Sequence, residues 1–208
     1  MELKPWLDLF IEQIKDTSIL QWVAVSFGVT EVLLAKKNNV LLYPAGIISS
    51  GLSILLLFEA LLYAEAALST YYVIMSIYGW IHWLKRKNDT PVRITYSSRN
   101  DWIVTAVISL GGWGLLYFIL KTYTDSDVPL MDAWISSTAW AGMWLLARRK
   151  IENWILLNIS NLFAIPLLFY KSLALFAMLT IFLFIVACFG YFGWKEKIEN
   201  RKLNHNLL

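Results

Sequence analysis

The chain has one cysteine and five prolines in 208 residues, and charged residues make up only 16% of it. The single thiol, Cys188, excludes an internal disulfide and any thiolate metal cluster, and in "IVACFG" it reads as a small packing residue. Charge this sparse excludes an ordinary soluble domain, in which about a quarter of the residues are charged. The net charge of +3 is no footprint for nucleic acid, because the bases sit in short clusters between apolar runs. No glycine-rich phosphate loop with its lysine occurs, so nothing marks a nucleotide-driven pump. His82 and His205 stand alone, so no metal site is expected, and no nucleophile constellation or cofactor motif marks an enzyme. The opening "MELKPWLDLFIEQIKDTS" mixes acids with bases and lacks the apolar core of a cleavable signal.

What is present is hydrophobic. Apolar residues are 58% of the chain and the mean hydropathy is +0.56, which places it among all-α integral membrane proteins with one polytopic domain. Trp6, Leu7, Phe10, Ile11 and Ile14 fall at helical spacing, as in a short amphipathic helix on a membrane surface. Seven apolar segments can each cross a bilayer: Ile19–Ala35, Val40–Phe58, Ala67–Leu84, Trp102–Leu120, Met131–Ala147, Ile151–Tyr170 and Leu173–Trp194.

The loop charges orient these spans. Lys36 and Lys37, then Lys85, Arg86, Lys87, Arg93 and Arg99, then Arg148, Arg149 and Lys150, then Lys195, Lys197, Arg201 and Lys202 alternate with stretches holding only Lys121 and Lys171. The other side carries Glu59, Glu65, Asp125, Asp127 and Asp132. Basic loops stay in the cytoplasm, so the N-terminus is expected outside and the C-terminus inside. Trp22, Tyr43, Trp83, Trp102, Tyr123 and Trp134, near span ends, read as interfacial belts.

An internal repeat is visible. "EVLLAKKNNVLLYPAG" matches "MWLLARRKIENWILLN" through Leu33-Leu34-Ala35 and Leu145-Leu146-Ala147, each followed by two bases, and "YGW" at 78–80 matches "FGW" at 192–194. Spans one to three then repeat as spans five to seven in the same orientation, with span four as linker, a layout that puts a substrate site at mid-membrane between the repeats. The expected units are an amphipathic segment (1–16), a first three-helix repeat (17–84), a loop with the linker helix (85–130), a second repeat (131–194) and a basic tail (195–208).

The polar residues inside the spans are the site candidates. Trp154, Asn158 and Asn161 are spaced i, i+4 and i+7, one helical face, and unpaired amides facing lipid would cost several kcal/mol. Pro166 interrupts the same helix and frees a carbonyl. Tyr72 and Ser76 with Gly79 and Trp83 repeat the pattern in span three. Span two offers Tyr43, Gly46, Ser50 and Ser53 around Pro44, and span five Trp140 and Trp144. Together these suit a pocket that stacks a flat ring and grips amides or hydroxyls. The three serines, Ser50, Ser53 and Ser76, fit interhelical glue equally well. Gly111, Gly112 and Gly114 around Trp113 read as a close-packing surface. Glu31, Glu59, Glu65 and Glu152 fall near span ends, which leaves no mid-span acid and favours facilitated diffusion over ion coupling.

The stretches "AKKNNVLLYPAGIIS", "YYVIMSIYGW", "MWLLARRKIENW" and "IPLLFYKSL" closely resemble the PnuC family of bacterial B-vitamin transporters over nearly the whole chain. The resemblance implies a doubled relative of the semi-SWEET proteins in the bacterial inner membrane. It also implies a homotrimer and facilitated diffusion of nicotinamide riboside, or in sister groups thiamine or riboflavin, with trapping by a cytoplasmic kinase. By motif, Trp154 and Asn161 match the family's sixth-helix site positions, and Tyr72 and Ser76 the helix facing them. Leu157 replaces the second aromatic of "ENWxxW", and Leu179 and Thr180 replace a polar or aromatic pair in the last helix, so thiamine stands beside nicotinamide riboside as substrate.

Overall fold

The computed structural model describes residues 3–59, 63–85, 93–171 and 173–206, and among these the regular structure is helical apart from one isolated bridge. Helix α1 (Leu3–Asp16) precedes α2 (Ile19–Lys37), α3 (Leu42–Glu59) and α4 (Tyr63–Lys85). A further helix begins as α5 (Arg99–Ala106), passes through a π-helical turn (Val107–Gly111) and continues as α6 (Gly112–Tyr123). Then come α7 (Pro129–Ala147), α8 (Asn153–Tyr170) and α9 (Ala174–Asn206). Each expected span corresponds to one of these helical segments. By length and composition four are apolar enough to cross a membrane: Ile19–Lys37, Arg99–Tyr123, Asn153–Tyr170 and Phe176–Arg201.

Local chemistry sets the boundaries. Ser18 caps α2 in a capping box with Gln21, and Ser98 caps α5 with Asp101. Pro129 stands at the first turn of α7, where its missing N–H is harmless. Asn38 and Arg149 adopt left-handed backbone (φ 61° and 56°) and close the C-termini of α2 and α7 in matching turns. Asn38 N–H donates to the Ala35 carbonyl and Asn39 N–H to Leu34, both at 2.9 Å. Arg149 N–H donates to Leu146 and Lys150 N–H to Leu145, also at 2.9 Å.

Six helices close a ring. α2 packs on α3, α3 on α4, α4 on α7, α7 on α8, α8 on α9, and α9 back on α2. Helix α6 packs outside on α7, and α1 on α9. The largest core cluster fills one end of the ring, near the turns after α2 and α7, and joins Leu42, Tyr43, Trp83, Leu146, Ile151, Trp154 and Trp194.

Several expectations are corrected here. Tyr43 and Trp83 are not interfacial belt residues; they are 1% and 7% exposed, because Gly79 leaves room for the Tyr43 ring and the Ala147 carbonyl and Arg149 guanidinium engage Trp83. Trp22, Trp102 and Tyr123 are exposed as a belt requires. The glycines around Trp113 make no close-packing surface: a Cβ at Gly111 or Gly114 would meet nothing within 4 Å, and only Gly112 faces α7 at ordinary contact distance. The basic turn Arg148–Lys150 is tied to neighbouring elements. Asp101 lies 3.1 Å from both Arg148 Nε and Lys150 Nζ, and the Arg149 guanidinium stacks 3.5 Å above the Trp83 ring. Burial there lowers the Arg149 pKa to about 10. Lys85, Arg86, Lys87, Glu59, Glu65, Lys202 and His205 from the charge pattern, and the side chains of Trp6 and Leu7 on α1, lie outside the described residues or side chains.

Candidate functional site

A cavity of about 490 Å³ lies within the ring, within the range of small-molecule sites. Its lining residues come from the middle turns of α2, α3 and α8 and from neighbouring turns of α4, α7 and α9. Its polar lining is Glu31, Ser49, Ser50, Ser53, Ser69 and Tyr72 on one side and Ser136, Ser160, Asn161 and Thr180 on the other. No lysine, arginine or histidine lines it among the described residues.

Four of the hydroxyls spend their hydrogen on a helix carbonyl. Ser49 donates to Ala24 (2.8 Å), Ser53 to Ser49 (2.9 Å), Ser160 to Ile135 (2.8 Å) and Thr180 to Phe176 (2.8 Å). A hydroxyl that has donated keeps its lone pairs, so these groups offer acceptors. The cavity thus offers acceptors at these four hydroxyls, with the Asn161 amide, the Tyr72 phenol and the hydroxyls of Ser50, Ser69 and Ser136 as its side-chain donors.

Below the cavity the aromatic cluster closes the ring. Tyr43 meets Trp83 edge-on at 5.0 Å between centroids, and Trp154 meets Trp194 edge-on at 5.6 Å. Trp83 Nε1 donates to the Ala147 carbonyl of α7 (3.2 Å), and Trp194 Nε1 donates to the Ala35 carbonyl of α2 (3.0 Å). Each indole therefore staples one seam between the α2–α4 set and the α7–α9 set.

The contacts of the two sets recur at one constant step along the chain. The step from Ala24 to Ile135 is also that from Ser49 to Ser160, from Tyr43 to Trp154, from Gly79 to Gly190 and from Trp83 to Trp194. Gly79 lies under the Tyr43 ring as Gly190 lies under Trp154. This register differs by one residue from the dibasic match, and it pairs Trp194 with Trp83 rather than with Trp80. The contact between Glu31 and Gly46 recurs with its sizes exchanged, as Gly142 against Leu157.

The structure brings together only some of the expected site residues. Asn161, Tyr72 and Ser50 line the cavity. Trp154 lies in the aromatic cluster and, with Asn158, borders a separate apolar groove between α8 and α9, where the Asn158 amide reaches Cys188 Sγ at 3.3 Å. The i, i+4, i+7 stripe wanders by tens of degrees around the axis, so its members fall on either side of a boundary between two neighbours. Tyr43 and Ser76 are buried at 1% and 0% exposure outside the cavity lining. Trp140 packs against Tyr71 and Trp144 stacks on Tyr78, both toward α4.

Glu31 is the residue that the sequence reading passed over. It was placed near a span end, yet it lines the cavity, six residues or roughly 9 Å along the helix from Lys37. The reading that no acid lies at a span centre did not foresee that Glu31, though near the span end, faces the cavity. Gly46 was the available signal: a small residue in the next helix that accommodates a large one.

The model of a family described as nicotinamide mononucleotide transporters matches residues 18–196, most of the chain, with five ring helices whole and α9 in part. The chain belongs to this family. It is 22% identical over 212 residues to the nicotinamide riboside transporter PnuC of Escherichia coli (strain K12), covering 89% of each chain, and equally to that of Shigella flexneri. A crystal structure of the vitamin B3 transporter PnuC shares the fold, with a TM-score of 0.71, 20% identity, and coverage of 95% of this chain and 90% of that one. As a member of the family the chain is a multi-pass transporter of the bacterial inner membrane and not an enzyme. The PnuC resemblance in its motifs is borne out.

Proposed function

We propose that the chain carries nicotinamide riboside by facilitated diffusion, with a cytoplasmic kinase trapping the imported vitamin by phosphorylation. The observation that carries this reading is the mid-height cavity with its polar wall, sealed at one end by the four-ring aromatic cluster. A pathway closed at one end around a central site is what alternating access requires. The names of the similar proteins from Escherichia coli and Shigella flexneri supply the substrate. Thiamine is the second reading, because Leu157, which replaces an aromatic of the nicotinamide-riboside pattern, lines the cavity.

The finer architecture belongs to the same proposal: seven spans, the N-terminus outside, the C-terminus inside, and parallel three-helix repeats joined by the α5–α6 linker. The recurring contacts support the repeat. The gathering of Lys36, Lys37 and Arg148–Lys150 at the sealed end supports a cytoplasmic location for that end. The homotrimer rests on the family resemblance. A binding titration on the purified protein tests the substrate. Nicotinamide riboside is expected to bind more tightly than riboflavin, and failure of both nicotinamide riboside and thiamine to bind would remove the proposal.

A further inference from the structure

Glu31 is the one charged side chain on the cavity wall, and it has no hydrogen-bond or ion-pair partner among the described residues. Its seat is built for it. A Cβ at Gly46 would lie 2.5 Å from Glu31 Oε1, so any larger residue on α3 would displace the carboxylate. At the recurring position across the ring Gly142 faces Leu157, so the acid has no counterpart and one side of the cavity holds a carboxyl group that the other lacks. The surrounding hydroxyls add to it, since Ser49, Ser53, Ser160 and Thr180 have all donated to carbonyls and retain only acceptor capacity and a rotor already committed. An isolated carboxylate away from water is costly, and a cation in the cavity removes that cost.

We infer that Glu31 is a specificity-determining residue of this cavity, pairing its carboxylate with the fixed positive charge of a flat heteroaromatic ring. The cavity therefore selects permanently cationic ring compounds over the same rings in neutral form. This rests on the reading of the cavity as the substrate site, and it adds which chemical class that site takes. Nicotinamide riboside, a pyridinium, and thiamine, a thiazolium, both belong to the class; riboflavin does not.

The test uses the full-length protein and E31Q, titrated with nicotinamide riboside, with its dihydro form and with thiamine. The dihydro form has nearly the same shape and no ring charge. Wild type should bind the pyridinium at least about tenfold more tightly than the dihydro form. E31Q keeps the size and hydrogen-bonding capacity of the side chain and loses its charge. It should bind both cations roughly ten- to hundredfold more weakly and the dihydro form nearly as wild type does, so that the preference for charge disappears. Equal binding of charged and neutral riboside by wild type, or unchanged binding of cations by E31Q, overturns the assignment of Glu31 while leaving the cavity as the site. Wild type that binds neither cation overturns the substrate reading, and this inference with it. Should E31Q fail to give a monodisperse protein, the preference of wild type between the two forms of the riboside decides alone.

Discussion

Gly190→Ala should destabilise the protein although alanine is the better helix former. The Cβ at 190 would lie 2.7 Å from the Trp154 indole, whereas ordinary contact begins at 3.4 Å, so the ring would have to retreat by about 0.7 Å. Trp154 has little room to do so: it is 1% exposed and meets Trp194 edge-on at 5.6 Å, and Trp194 is held by its bond to Ala35. Overpacking of this kind costs about 1–3 kcal/mol, against a helix-propensity gain of up to about 1 kcal/mol. The net loss should be about 1–2 kcal/mol, read as a lowered melting temperature of the detergent-purified protein. The internal control is Gly193→Ala on the next turn, where a Cβ meets nothing within 4 Å and only the propensity gain should register. If the two variants melt together, or Gly190→Ala melts higher, the ring is not pinned and the account of the aromatic seal is wrong.

Asn161→Leu should weaken nicotinamide riboside binding roughly ten- to hundredfold with membrane insertion intact, since an unmet polar group costs about 1–3 kcal/mol; ligand titration on variants with matched size-exclusion profiles checks it. Trp154→Ala should instead cost stability, about 3–5 kcal/mol, because the ring is buried in the aromatic cluster and does not line the cavity; a melting curve well below wild type is expected. Asp101→Asn should melt lower by about 1–3 kcal/mol and loosen the turn after α7, because Arg148 and Lys150 lose their shared carboxylate; protection of that turn in hydrogen exchange should fall. Reporter fusions should place the two termini on opposite sides of the membrane, and both on one side would exclude seven spans.

Helices and their order were legible in the sequence because apolar run length is a local signal. The expected spans Trp102–Leu120 and Met131–Ala147 begin two to three residues late, because the capping by Ser98 and the Pro129 start were not read. The site was legible only in part. Asn161, Tyr72 and Ser50 reach the cavity, but helical spacing alone could not separate Asn161 from Trp154, because one stripe can touch two neighbours when a helix sits in a closed ring. Glu31 was hidden for a different reason. Its distance from the lysine pair along the chain is short, and only the packing of α2 on α3 at Gly46 shows that it turns inward. Tyr43 and Trp83 look like interface anchors by position, and what buries them is glycine and backbone carbonyls supplied by other helices.

The two indole staples bear on how molecules pass. Trp83 fastens α4 to α7 and Trp194 fastens α9 to α2, so the pair closes both seams of the ring at one level. Swinging one three-helix set away from the other at that end must break both bonds in the same movement, while each edge-on ring pair stays within its own set. Half-open widths, with one seam parted and the other fastened, would leave an indole and a carbonyl unpaired in an apolar setting without yet making a passage. An opening that parts both seams would favour complete cycles, one molecule to each, and under the proposed facilitated diffusion the flux should saturate as a carrier's does instead of rising with concentration as through a pore.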